Sequence, residues 1–367
     1  SADAAYLPLI FSAGALAPAG SVDQILEASA DHAAALGQRL RERVYKNVVP
    51  DLAEAVARRM DAATETELDE AYHRTLIILF RLLFVAYAED RGLLPYLRNP
   101  RYTKKALKTV AREFAENSEP VFDTEATDRW DDLLAVWRAV DDGNREWGVP
   151  AYNGGLFASD DNHPSGRAIA AMQLTNDEIG PALHALLIDT GDEGTRGPVD
   201  FRSLTVREFG TIYEGLLESS VSIAPTDLTV NPKTKFFLPA KSGQVPDVKA
   251  GQVYFHNASG ARKSSGSYFT KAFAVEHLLD TALEPALVQH LARIETYLKA
   301  GDEARAAEAL FDFRVADLAM GSGHFLVAAI DRIEARFRVF LSNNPIPAVA
   351  DELRRLTEVA RDALAEP

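Results

Sequence analysis

The 367 residues contain no cysteine. That absence excludes disulfides, thiolate metal sites and cysteine nucleophiles together, and it suits a reduced, cytoplasmic compartment. Positive charge is scarce as well: 39 Lys and Arg stand against 54 Asp and Glu, for a formal net charge of -15. A uniformly basic coat is thereby excluded, and any contact with DNA or RNA has to come from a local patch. No uncharged apolar run reaches the roughly 18 residues of a membrane-spanning helix. The nearest imitation, YLPLIFSAGALAPA at 6–19, looks like the apolar stretch of a secretion signal, but Asp3 precedes it where a basic segment belongs. It reads as an ordinary buried segment. Because the chain opens on Ser1 instead of Met, a longer natural protein is expected.

What is present is ordinary globular material, 47% hydrophobic and 25% charged, at a length that suits two or three domains of about 100–200 residues each. Residues 22–165 read as helical. In ELDEAYHRTLIILFRLLFVAYAED at 67–90, Leu76, Leu79, Phe80, Leu83, Phe84 and Tyr87 recur at helical spacing and the run is apolar on most sides, which predicts the central helix of an α-domain. Gly92 and Pro95 should end it. A second helix should carry Trp130, Leu133, Leu134, Val136, Trp137 and Val140. Short helices are expected near 175–188 and 205–218, then a small antiparallel hairpin set over 226–258, built on Thr229-Val230, Phe236 to Leu238 and Val253 to Phe255. Helix resumes over 270–299. Val315 to Leu318 reads as a short buried strand, followed by helices from about His324 to Leu341 and over 347–365. These elements group as a helical domain at 1–165, a connector at 166–260, and a third region at 261–367.

The segment FRVADLAMGSGHFLVAAIDRI at 313–333 is the most informative one. A β-like run ends at Asp317, a turn holds Gly321 and Gly323, and an apolar helix follows. Glycines at such a turn let backbone approach a ligand closely, and a helix N-terminus offers N–H groups and a favourable dipole to an anion. Position 326 is Leu, so the third glycine of the dinucleotide fingerprint is missing. Lys and Ser/Thr do not follow Gly323, so the segment is no P-loop. Spacing alone also fits a tight strand-to-helix turn that holds nothing.

The string DLAMGSGHF at 317–325 closely resembles motif I, D-P-x-x-G-S-G-x-F, of class I S-adenosylmethionine-dependent DNA methyltransferases. About 50 residues upstream, RKSSGSYFT at 262–270 is similar to the G-S-Y-Y-T-P segment, motif X, that precedes motif I in N6-adenine methylases. Lys271 stands where the family usually has Pro. LTVREFGTIYEGLLE at 204–218 resembles a helix of large restriction–modification methylases, and YNGGLF at 152–157 and FVAYAEDRGLL at 84–94 match the same group. Together the resemblance spans about 300 residues and points to the large type IIG-like restriction–modification and phage-defence adenine methylases, relatives of the BREX-type enzymes.

That resemblance implies a mainly α chain with a small β region, whose helical N-terminal domain is followed by the beginning of a Rossmann-like class I methyltransferase α/β domain. It implies S-adenosyl-L-methionine as cofactor, held by Gly266, Ser267, Tyr268, Phe269, Thr270, Asp317, Ala319, Gly321, Gly323, His324 and Phe325. Gly321 and Gly323 would pass close to the methionine part, Asp317 would anchor the polar end, and Tyr268 to Thr270 would line the opposite side. The partners implied are double-stranded DNA and other subunits of a defence system, with no membrane. The whole enzyme would flip an adenine into a pocket.

The catalytic motif [N/D]-P-P-[Y/F] of that family occurs nowhere in the 367 residues. Asn344-Pro-Ile-Pro347 lacks both the second consecutive Pro and the aromatic residue. No catalytic residue is therefore assigned, and the expectation is a fragment inactive by itself. A lone strand at 315–318 would also leave backbone groups unpaired on both edges, so further strands are expected in the natural protein. No E-x-K occurs, and Pro246-Asp247-Val-Lys249 is a poor nuclease site. His163, beside Asp160 and Asp161, reads as solvated in a loop and not as a metal ligand.

One basic stretch interrupts the acidic background. Arg98, Arg101, Lys104, Lys105, Lys108 and Arg112 fall within fifteen residues that contain no acid, with Tyr96 and Tyr102 adjacent. From Arg101 onward the spacing would place them on one helix face able to neutralise DNA phosphates. A merely solvated face is the competing reading. For the whole chain the alternatives are a non-catalytic helical module for assembly or DNA target recognition, and a nicotinamide-dependent enzyme, which Leu326 disfavours.

Overall fold

The computed structural model describes residues 10–117, 119–152, 154–191, 196–204, 206–217, 219–231, 237–241, 243–257, 272–318, 320 and 323–365. The chain divides after Ser264 into two compact units, 1–264 and 265–367.

In the first unit α1 (Ser21–Arg43), a π-turn at Val44–Val48 and α2 (Val49–Arg59) run on without a break. Then comes α3 (Glu65–Asp90), the helix predicted from its apolar spacing. Thr64 and Glu67 start it with a reciprocal cap: the Thr64 hydroxyl accepts from the Glu67 N–H, and the Glu67 carboxylate accepts from the Thr64 N–H at 2.9 Å. Gly92, at φ 69°, ends it, and the Leu93 N–H folds back to the Ala88 carbonyl at 2.9 Å. Ile78, Leu79, Leu82 and Val85 are fully buried. By length and composition alone α3 could cross a membrane, but more than half of its most apolar window is buried inside this unit. Short α4 (Pro100–Thr103), α5 (Leu107–Glu116), α6 (Asp128–Asp142), α7 (Pro164–Ala171) and α8 (Asn176–Leu187) surround it. Trp130 and Trp137 of α6 meet edge to face at 5.4 Å in the core.

A single apolar cluster runs from Leu36 to Val221. It crosses position 165, so the expected boundary at 165/166 does not separate two cores. Asp189, just after α8, ties that segment to α1 by accepting from both Arg39 (2.8 Å) and Arg43. The strands form three two-stranded antiparallel ribbons: β1 (Ile188–Thr190) with β2 (Arg196–Pro198), β3 (Ser219–Ile223) with β6 (Val253–Asn257), and β4 (Leu228–Val230) with β5 (Phe237–Pro239). The hairpin set expected over 226–258 is present. Its largest ribbon, however, recruits β3, which immediately follows α9 (Val206–Leu217), in the register Val221 opposite Phe255.

The second unit holds α10 (Ala272–Leu278), a π-turn at Leu279–Leu283, α11 (Glu284–Lys299), α12 (Glu303–Phe311), α13 (His324–Asn343) and α14 (Pro347–Ala365). Its apolar contacts form two small clusters, one around Ile294, Leu310 and Ile346, the other around Leu279, Leu287 and Ala329. Arg332 of α13 bonds Glu276 (2.8 Å), Asp280 (2.9 Å) and Glu284 (3.4 Å), which stand one helical turn apart along α10–α11. The buried strand expected at Val315–Leu318 is not formed. Val315 is 43% exposed and Leu318 fully exposed, because an extended run becomes a strand only when another backbone pairs with it. None does so among the described residues, and no β-strand occurs among those of this unit. The structure is thus mainly helical with small antiparallel sheets.

Candidate functional site

Gly266, Ser267, Tyr268, Phe269, Thr270, Ala319 and Gly321 lie outside the described residues. What is described of the glycine turn centres on Gly323, the residue that caps the N-terminus of α13. Its φ of 76° and ψ of 11° are left-handed, a conformation that costs an L side chain about 1 kcal/mol or more. Its N–H donates to the Met320 carbonyl at 2.8 Å, and its carbonyl accepts from Val327 at 3.0 Å. Among the described residues a Cβ here would meet only Met320 Cγ, at 4.0 Å, so it is the conformation that demands glycine.

The first turn of α13 carries no acidic side chain, and its N-cap residue, a glycine, has no side chain to cap it. Its leading N–H groups, which have no partner inside a helix, therefore present a positive end. Phe325 belongs to the fold: it packs on the cluster of Val275, Leu279, Leu283 and Leu287. Beside the turn, Asp317 and Leu318 edge a cleft of about 480 Å³ with mostly apolar walls from Leu279, Leu283, Val315 and Ala329. Gly323, one of the two glycines expected near a cofactor's methionine end, thus sits at a helix N-terminus next to a cleft.

The basic stretch does not form one helix face. Pro100 starts α4, which ends at Thr103, and α5 begins afresh at Leu107. Most of its cations are engaged within the unit. Arg98 donates to the Gly92 carbonyl, Arg101 pairs with Glu146, Lys105 with Asp132, and Lys108 with Asp90. Lys108 and Arg112 also flank the Tyr96 ring at 5.6 and 5.4 Å. The i, i+4 spacing correctly placed Lys108 and Arg112 together, but it did not register the proline break or the acids waiting on α3, α6 and the 144–149 turn.

The other quoted motifs have structural duties. Along α9, Phe209 meets Tyr87 at 5.7 Å and Tyr213 meets Phe80 at 5.5 Å. The Leu216 carbonyl accepts from Tyr72 at 2.6 Å. Gly215 permits this contact with the core: a Cβ there would lie 1.6 Å from the Tyr45 hydroxyl oxygen. Asp247 accepts from the Thr229 hydroxyl and the Val230 N–H at 2.9 and 2.7 Å, which bind a loop to β4 and draw its carboxyl below the usual range. That is turn chemistry.

Sequence reading passed over the last turn of α3. Glu89 and Asp90 are both buried. The Glu89 carboxylate accepts from the Tyr102 hydroxyl (2.8 Å) and from the Leu107 and Lys108 N–H groups (3.0 and 2.8 Å), and so caps α5. Burial pushes its carboxyl up to about 7 against those bonds. Asp90 accepts from the Phe201 N–H at 2.7 Å. The available signal was two adjacent acids closing an otherwise apolar helix.

No family model, curated protein or solved structure matches this chain.

Proposed function

We propose that residues 265–367 begin the S-adenosylmethionine-binding part of a DNA adenine-N6 methyltransferase of a restriction–modification or phage-defence system, acting in the cytoplasm on double-stranded DNA. The observation that carries the reading is Gly323, left-handed at the N-terminus of a 20-residue helix, within the string DLAMGSGHF. In this reading the N–H groups of the first turn of α13 receive the cofactor's carboxylate, and Asp317 takes the opposite charge of its amino group. When bound, the cofactor supplies an electrophilic methyl group on sulfur. Further strands beside 313–318 would complete a Rossmann-like sheet, and the residues that hold the adenine amine are not among these 367.

Isothermal titration of S-adenosylmethionine, on the longer natural protein and on this chain, tests the reading. Binding to the wild type, lost in Gly323→Asp with unchanged helix content, is the expected outcome, because the new carboxylate would face the cofactor's own. Wild-type binding or tritium transfer to DNA in Gly323→Asp would overturn it. A helical assembly module is the competing reading, favoured by the full exposure of Leu318 where a buried strand was expected. It predicts no cofactor heat at all.

A further inference from the structure

A second pocket, in the first unit, lies where α3 meets the YNGGLF loop and the start of α7. His73 and Arg81, two turns apart on α3, face Gly155, Asn162, His163 and Ser165 across a volume of about 340 Å³. Arg81 is the unusual member. A guanidinium 2% exposed normally has a carboxylate beside it, because an isolated buried charge is costly. None stands within ion-pair distance of Arg81 among the described residues. Its Nε donates to the Leu156 carbonyl at 2.8 Å and its Nη2 to the Ala158 carbonyl at 3.3 Å. Trp137 and Phe157 flank it at 5.2 and 5.8 Å. Nη1 has no hydrogen-bond partner among the described residues. The guanidinium fixes the loop, then, and keeps donors in reserve.

The rest of the wall is mixed: Ile77, Leu156, Ala158 and Pro164 are apolar, His73, Asn162, His163 and Ser165 can donate, and no carboxylate lines the pocket among the described residues. The nearby acids have partners of their own: Asp160, which is not part of the wall, accepts from the Asn162 N–H at 2.8 Å and lies 2.9 Å from His163 Nδ1, so His163 has its Nε2 left for a ligand, while Asp161 pairs with Arg167 at 2.5 Å. Asp141 acts on Arg81 only at longer range. The N-terminus of α7 opens here with Pro164 in its first turn and no side-chain cap from His163. Gly155, at φ 71°, leaves the opposite wall without a side chain.

We propose that this pocket binds an oxyanion of the phosphate class, held by the Arg81 guanidinium, the imidazoles of His73 and His163, the Ser165 hydroxyl and the first N–H groups of α7. One buried guanidinium with neutral donors converging from three segments, on a wall with no carboxylate among the described residues, is the chemistry that recognises phosphate. The proposal does not depend on methyl transfer.

The test is calorimetric titration of the full chain with inorganic phosphate at constant ionic strength, with acetate as control. Saturable one-to-one binding is expected, weakened at least tenfold in His73→Ala and in Ser165→Ala, both peripheral to the core. Arg81→Lys, which keeps the charge and loses the fork, should weaken it further. A parallel titration with a short DNA duplex identifies the source. If the same variants weaken duplex binding, the ligand is a backbone phosphodiester; if they leave it unchanged, it is a free phosphate or phosphomonoester. Absence of phosphate binding in the wild type, wild-type affinity in folded His73→Ala and Ser165→Ala, or equal binding of acetate would overturn the proposal.

Discussion

The two units differ in how completely each buries its own apolar surface. In residues 1–264 one cluster encloses Trp130, Trp137, Phe114 and the length of α3, and the quoted motifs at 84–94 and 204–217 are part of its walls. In residues 265–367 two small clusters leave Phe273, Ile330 and Val339 each more than half exposed. The region whose sequence carries the cofactor-like string is therefore the one with the least core of its own. Apolar faces left open on this scale belong to binding surfaces or to contacts with further structure. Motif strength and self-sufficiency of fold run in opposite directions along this chain.

The largest effect that would test this contrast is loss of a core tryptophan. Trp137 is buried against Trp130 and beneath the Arg81 guanidinium. Trp137→Ala should cost about 3–5 kcal/mol of stability, the usual range for a buried aromatic truncated to alanine. Trp130, Trp137 and Trp147 are the only tryptophans, and all lie in the first unit. Urea unfolding followed by tryptophan fluorescence therefore reads that unit alone. A midpoint unchanged from wild type would show that its core is not the one described.

How much of this was legible beforehand differs by element. α3 was, because apolar residues on most sides of a 26-residue run allow only a central helix, and Thr64 with Glu67 marks its start. Gly323 was legible as a turn, since a left-handed cap leaves a glycine in the sequence. The false strand at 315–318 shows the opposite case: alternation or apolarity describes one backbone and says nothing of whether a second lies alongside. β3 was missed for the same reason, as its partner Val253–Asn257 begins 30 residues after β3 ends at Ile223. The cations at 98–112 could be seen, but their partners Asp90, Asp132 and Glu146 stand on other segments. Arg81 stands alone among Leu and Phe in the middle of α3, but the helical spacing alone did not single it out or place it in a pocket.

Next in size is the pH dependence carried by Glu89. Its folded carboxyl, raised to about 7, titrates well above the ordinary 4.5 of an unfolded chain. The folded state therefore binds the extra proton between these values, so stability is greatest below about 4.5 and falls as pH rises through about 7. The full difference is of order 3 kcal/mol, at 1.36 kcal/mol per pH unit. Glu89→Gln should flatten this slope in tryptophan-monitored unfolding measured from pH 5 to 8. An identical slope in the variant would assign the titration elsewhere.

A smaller effect separates the two kinds of cation in the 98–112 stretch. Lys108→Ala strands Asp90, 3% exposed at its side chain, with only the Phe201 N–H as partner, and should cost roughly 1–3 kcal/mol. Lys104, which has no ion pair among the described residues, should be replaceable by Ala within about 0.5 kcal/mol. If the stretch also meets DNA, Lys104 and Arg112 are the cations held neither by a carboxylate nor, like Arg98, by a backbone carbonyl. Removing both should then flatten the salt dependence of duplex binding by up to about two contacts, at 0.9 in slope for each. Equal destabilisation by Lys104→Ala and Lys108→Ala would erase the distinction.

The smallest expected change lies on the second unit's open face. Ile330 and Val339, both on α13, are 64% and 60% exposed. Ile330→Ser with Val339→Ser therefore removes little buried surface. It should leave helical ellipticity and thermal midpoint nearly unchanged, within about 0.5 kcal/mol per site. Binding of the dye ANS should fall, because the dye reads accessible apolar surface, and the apparent mass in sedimentation should stay the same. A clear loss of helix or a lowered midpoint would mean that these side chains are covered in solution. A shift in sedimentation would then identify the cover as another copy of the chain, and the contrast between the units would become one between a core closed within a chain and a core closed between chains.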